Sequence, residues 1–187
     1  MSKAIKIKLT KAPEEYDFGA SKFFGDPTIP SEWAERFAED IAFLGQIQLS
    51  DIAEYDKENR LPHKGYLYFF LDTECYPYDV WVEYYDGEPD MLLGDFNTEI
   101  SEFEHLTKAY LLSFEDCDES EACTRLFGVP SSEYEPDEEH EGKLLLQFDP
   151  LDTATGFLEE VDGYAYIFYD TKKEPLDGAT EFVIDRS

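Results

Sequence analysis

GYLYFFLDT, residues Gly65 to Thr73, returns as GYAYIFYDT, residues Gly163 to Thr171, with six of nine positions identical. Two further pairs repeat in the same order. SKFFGDP (Ser21 to Pro27) matches TRLFGVP (Thr124 to Pro130), and LGQIQLSD (Leu44 to Asp51) matches LLQFDPLD (Leu145 to Asp152). The three offsets are 98, 103 and 101 residues, so order and spacing survive together. That is the signature of an internal duplication. In each copy the aromatic run is continuous, which predicts a central strand covered on both faces. The repeat therefore decides the fold, and the remaining segments are read around it.

Alternation of Ile5, Ile7 and Leu9 with Lys6 and Lys8 predicts a half-exposed strand with a basic outer face. At the same offset as the SKFFGDP pair, Tyr110 and Leu112 fall on Ile7 and Leu9, so Lys108 to Phe114 is expected to be the strand that opens the second copy. Between these, Ser31 can cap a short helix over SEWAERFAED, with Trp33, Phe37 and Ile41 as its apolar stripe. Ile100, Phe103 and Leu106 could form a second one. FLGQIQL (Phe43 to Leu49), VWVEYY (Val80 to Tyr85), Leu144 to Phe148 and Glu181 to Ile184 read as strands. Ser50 and Asp51 can cap one or two helical turns through Tyr55. Glu115 to Glu121 and Glu133 to Glu141 read as acidic loops. The expected fold is α+β, mainly antiparallel sheet, with two pseudo-symmetric strand-rich copies and short helices. Residues 1–187 are expected to form a single compact domain, divided at about 1–100 and 101–187. Neither copy is large enough to bury its aromatics alone, so the two are expected to pack on each other.

The chain carries 44 acidic and 15 basic residues, a formal net charge of −29. Such a field repels phosphate backbones and anionic lipid, so nucleic acid and membrane are excluded as direct partners, and a basic protein is favoured. MSKAIKIKLTKAPEEY holds no apolar signal core, and no run approaches the length of a spanning helix. Cys75, Cys117 and Cys123 are odd in number and lack CxxC spacing, which argues against a disulfide framework and fits a reducing cytoplasm.

These blocks resemble a known group, the YwqG-like family of bacterial proteins of unknown function. The residues that carry it are Ser21, Lys22, Gly25, Pro27 and Pro30; Phe43, Leu44, Gln46, Ile47 and Leu49; and Leu61, Pro62, Gly65, Leu67, Tyr68, Phe69, Phe70 and Asp72. In the second half they are Leu144 to Gln147, Asp149, Gly163, Tyr166 and Phe168. Family members often carry a Trp-Gly-Asp segment before the second aromatic strand, where this chain reads GFLEEVDG. The resemblance implies an immunity-type role for members encoded beside polymorphic toxins.

Chemistry is harder to find. His63, His105 and His140 are far apart, and HExxH, CxxC, GxGxxG, P-loop and GxSxG patterns do not occur. No metal, cofactor or catalytic residue is expected. Cys117 stands among Glu115, Asp116, Asp118, Glu119 and Glu121, charges that would raise a nearby thiol's pKa. Gln46 and Gln147, at matching places in apolar strands, must be hydrogen-bonded and are expected to cap backbone groups between the copies. The candidate partner-binding face joins Trp81, Tyr84 and Tyr85 to Glu115, Asp116, Asp118, Glu119, Glu121, Glu133, Glu135, Asp137, Glu138, Glu139 and Glu141. Aromatics would anchor there, and carboxylates would steer. Two functions follow: an acidic, non-enzymatic binding protein covering a basic partner, or a small-molecule or carbohydrate enzyme using carboxylates in the cleft between copies.

Overall fold

The structure, a computed structural model, describes residues 3–37, 40–74, 79–97, 104–131, 142–149, 163–169 and 180–185. Among these residues twelve strands run in order: β1 Ala4–Lys11, β2 Lys22–Phe23, β3 Thr28–Ile29, β4 Ile41–Gln48, β5 Tyr66–Asp72, β6 Asp79–Tyr85, β7 Met91–Leu92, β8 Tyr110–Cys117, β9 Arg125–Leu126, β10 Lys143–Phe148, β11 Tyr164–Tyr169 and β12 Thr180–Asp185. Ten of them form one antiparallel sheet in the order β12-β11-β10-β9-β1-β8-β2-β4-β5-β6, and β3 pairs with β7. The sheet curls into a nearly closed barrel whose two edge strands, β6 and β12, lie against each other. Mutual cover of this kind shields both edges from other chains.

This corrects the α+β expectation. The structure is nearly all β, and no helix among the described residues reaches seven residues. The predicted helix over SEWAERFAED is only a 3-10 turn, Ser31–Trp33, held by i to i+3 bonds such as Trp33 N–H to Pro30 O and Arg36 N–H to Trp33 O. Its stripe is real, but it serves another geometry. Trp33 meets Tyr68 and Tyr85 edge-on, Phe37 packs on Phe70, and Ile41 already belongs to β4 opposite Asp72. Ten residues are too few for a helix to stand on propensity, so tertiary packing sets the path. The 3-10 turns Leu49–Ile52 and Glu104–Thr107 complete the helical content of the described residues.

Alternation along the aromatic strands explains the double burial predicted for them. Leu67, Phe69 and Leu71 point into the barrel core, while Tyr66, Tyr68 and Phe70 pack outside under Trp33 and Ile29. In β11, Ala165 and Ile167 join the inner core and Tyr164, Tyr166 and Phe168 face out. A buried Phe stabilises by about 1.5–3 kcal/mol, so these two strands hold much of the core.

The strands that open the two repeats change places. β1 pairs with β8 and with β9 of the second repeat, while β8 pairs with β2 of the first. Both β8 and β9 run antiparallel to β1, so the 118–124 connection must cross over β1. The 12–21 connection likewise crosses β8. Ile7 N–H donates to Thr124 O and Leu112 N–H to Ser21 O. Since Ser21 and Thr124 are repeat mates, Leu112 corresponds to Ile7, an offset of 105 rather than the expected 103. A slip of two residues leaves every side chain on the same face, so hydrophobic pattern alone does not detect it. Glu115, Asp116 and Cys117, expected in a loop, extend β8 opposite Lys6, Ile5 and Ala4. The expected junction near residue 100 falls outside the described residues.

Candidate functional site

Each repeat builds the same clamp. Gln46 accepts from Thr28 N–H (3.0 Å) and donates to Ala20 O (3.1 Å) and Thr28 Oγ1 (2.7 Å). Gln147 accepts from Ser131 N–H (3.0 Å) and donates to Cys123 O (2.9 Å) and Ser131 Oγ (2.7 Å). Both amides are fully buried. They do cap backbone groups, but within each repeat rather than between the two. What they fasten is a sharp hook. Phe24 and Gly25 have φ of 59° and 72°, and Phe127 and Gly128 have 64° and 93°. A phenylalanine in the left-handed region stores roughly 1–3 kcal/mol and persists only where its surroundings dictate it. Burial of both rings supplies that constraint.

The repeats differ where Lys22 matches Arg125, both almost fully buried. Arg125 donates to the carbonyls of Phe127, Val129 and Glu121 and to Gln147 Oε1. Lys22 instead lies 5.1 Å from the centroid of the Tyr16 ring, and burial lowers its amine to about 8, against a smaller upward pull from Asp26.

Two concavities result. The first is a cup of about 430 Å³ lined by Asp17, Gly19, Ala20, Ser21, Gln48, Asp51, Tyr66, Glu88, Leu111 and Leu112. Its charged residues are all acidic. Asp51 accepts from Ser21 Oγ at 2.6 Å, and Glu88 from Tyr66 Oη at 3.2 Å. Burial, then Glu88, pushes the Tyr66 phenol up to about 12, so it stays a donor at neutral pH. A side chain on Gly19 would collide with that hydroxyl, since its Cβ would lie 2.4 Å away. Phe18, between two lining residues, is 47% exposed.

The second concavity, also about 430 Å³, lies between the repeats: Glu58 and Arg60 on one side, and Glu119, Phe127 to Pro130, Gly142 to Leu144, Phe168 and Tyr169 on the other. The Arg60 guanidinium stacks 3.8 Å from the Phe127 ring centroid and pairs with buried Asp56 at 3.0 Å.

Of the residues expected to form a partner face, the described ones are dispersed. Trp81 stacks on Phe70, and Tyr85 meets Trp33 outside the barrel, whereas Tyr84 packs toward the inner core. Glu115, Asp116 and Glu121 face the lysines of β1 and its surroundings: Lys8–Glu115 2.5 Å, Lys3–Asp116 3.6 Å, Lys57–Asp116 3.9 Å and Lys6–Glu121 2.8 Å. Asp118 and Glu119 are exposed in the crossover, with Glu119 at the inter-repeat cleft. Glu133, Glu135, Asp137, Glu138, Glu139 and Glu141 lie outside the described residues. In the sequence Asp51 reads only as a helix cap, and Asp17 and Glu88 carry no mark, because single acids 34 and 37 residues apart give no local signal that they share a site. No group of three metal-ligating side chains occurs among the described residues, and no helix there is long and apolar enough to cross a membrane.

No curated protein matches the chain. Residues 21–90, which hold β2 to β6 and the Ser21, Gln48, Asp51, Tyr66 and Glu88 wall of the acidic cup, match a family described as a domain of unknown function (DUF1963).

Proposed function

We propose that this chain is an acidic, non-enzymatic binding protein of the YwqG-like kind. It would act in the cytoplasm and receive a basic protein partner, in the manner of an immunity protein covering a toxin. The observation that carries this reading is the cup holding Asp17, Asp51 and Glu88 with no basic residue among the described residues of its wall. Glu115, Asp116 and Glu121, by contrast, already have lysine partners. Carboxylates that face no cation among the described wall residues keep their field for an incoming lysine or arginine, and exposed Phe18 beside them offers an apolar contact. Affinity capture from host lysate at low and high salt tests it. A basic protein should be retained at low salt, released at high salt, and lost from an Asp51→Asn, Glu88→Gln variant. Recovery of no basic protein, or equal recovery by the variant, overturns the assignment of this cup.

The second reading is a small-molecule or carbohydrate enzyme. Glu58 and Glu119 beside Arg60 and Lys143 in the inter-repeat cleft favour it. A metabolite or oligosaccharide that raises the melting temperature, an effect abolished by Glu119→Gln, would support that alternative.

A further inference from the structure

Cys117 and Cys123 are distant from a CxxC spacing, yet they form one small buried cluster with Ala4. The topology explains it. Cys117 ends β8 opposite Ala4, and the chain then turns at Asp118 to Glu121 and crosses β1 before entering β9. Lys6, two residues on from Ala4, binds Glu121 at 2.8 Å, which puts the crossing on this face of β1. Cys123 is thereby laid back upon Cys117, and the two thiols pack together in one buried cluster.

The other repeat gives the comparison. By the register of the hydrogen bonds, Ala4 corresponds to Ala109 and Cys117 to Ala12. By the SKFFGDP and TRLFGVP match, Cys123 corresponds to Ala20. The same crossover is built once with three alanines and once with one alanine and two cysteines. Small size alone meets the packing demand, so the paired sulfurs are an addition to the scaffold.

We propose that Cys117 and Cys123 are a redox modification site that a peroxide converts to an intrachain disulfide. The Cys123 thiolate attacks one peroxide oxygen. The O–O bond breaks, and the departing hydroxide takes a proton, leaving Cys123 sulfenic acid and water. The Cys117 sulfur then attacks the Cys123 sulfur, the S–O bond breaks, and the hydroxyl leaves as water with the Cys117 proton. Two thiols lose two electrons, and one peroxide becomes two waters.

The order of attack follows from the surroundings. Burial, then the Cys123 sulfur, lifts Cys117 to about 12. Burial and Glu121 also raise Cys123, but Lys6, the Cys117 S–H and Arg125 all pull it back. Cys123 is therefore the thiol that ionises first, and Cys117 resolves. The product would fix the crossover that carries Glu119 at the inter-repeat cleft and Glu121 beneath Arg125.

The test uses the full chain, reduced and then treated with stepwise hydrogen peroxide. Remaining thiols are alkylated under denaturing conditions, and peptides are mapped without reductant. The expected result is a Cys117–Cys123 peptide lighter by two hydrogens. It should form at lower peroxide than any change at Cys75 and equally well in a Cys75→Ser chain. In Cys117→Ser, Cys123 should stop at a sulfenic acid trappable by a dimedone probe. The site is overturned if Cys117 and Cys123 both remain alkylated while Cys75 oxidises. It is also overturned if the cross-linked peptide appears only after the chain is unfolded. The wild-type map decides the matter even where a variant folds poorly.

Discussion

Gln147 and Gln46 show how much one side chain can be asked to do. Each fully buried amide satisfies three polar groups, and truncation leaves those groups unpaired, at roughly 1–3 kcal/mol for each one that stays buried. Gln147→Ala should lower unfolding free energy by about 2–4 kcal/mol in urea titrations, and Gln46→Ala by a similar amount. The Lys22 amine makes a different statement. Its folded value, about 8, lies below the ordinary 10.5. Between those limits the unfolded chain binds a proton that the folded chain has released, so stability rises with pH across that window. Below pH 8 the folded state carries the full burden of a buried ammonium. Wild type should gain on the order of 1–3 kcal/mol from pH 8 to 10 relative to Lys22→Met, which removes the amine. Unfolding of the two proteins at matched pH measures the difference, and parallel pH curves would refute it.

The hook after β2 and β9 is the element that sequence comparison exposed most clearly. Gly128 sits at φ 93°, and an added Cβ would lie 2.3 Å from Glu119 O. Gly128→Ala should cost about 2–4 kcal/mol, from left-handed backbone strain plus a collision with main chain that does not yield as a side chain would. Thermal melts beside Gly94→Ala, whose Cβ meets nothing within 4 Å, make the comparison. The strands were legible for the same reason as the hook: Tyr66 to Leu71 and Tyr164 to Tyr169 repeat a pattern that only a two-sided strand satisfies. The absent helix was not legible, because Trp33 and Phe37 read as a helical stripe while tertiary rings at Tyr68, Tyr85 and Phe70 decide their positions. The acidic cup was hidden more deeply. Asp17, Asp51 and Glu88 meet only after the barrel closes, and a chain with 44 acids gives no reason to choose those three.

At the scale of the whole molecule, charge and topology oppose each other. A net charge of −29 drives the surface apart, and the ion pairs seen are mostly exposed ones that contribute about 0–1 kcal/mol each. Raising salt from about 10 mM, where charges interact over roughly 30 Å, to about 150 mM, where they are screened within about 8 Å, should therefore raise the melting temperature. Calorimetry across that range checks this, and a flat or falling midpoint would show that attraction between local pairs governs instead.

The exchanged opening strands make each half depend on the other. A polypeptide consisting of the first repeat alone would hold out its N-terminal strand with no place for it in its own sheet, and would leave β2 with a bare edge. Two such polypeptides would each fill the gap in the other. The barrel thus has the topology that an intertwined homodimer of such polypeptides would have. Within one chain the two halves can differ, and an arginine in a lysine's place or two sulfurs in the place of two alanines are differences that a symmetric pair of identical subunits could not carry on one side only.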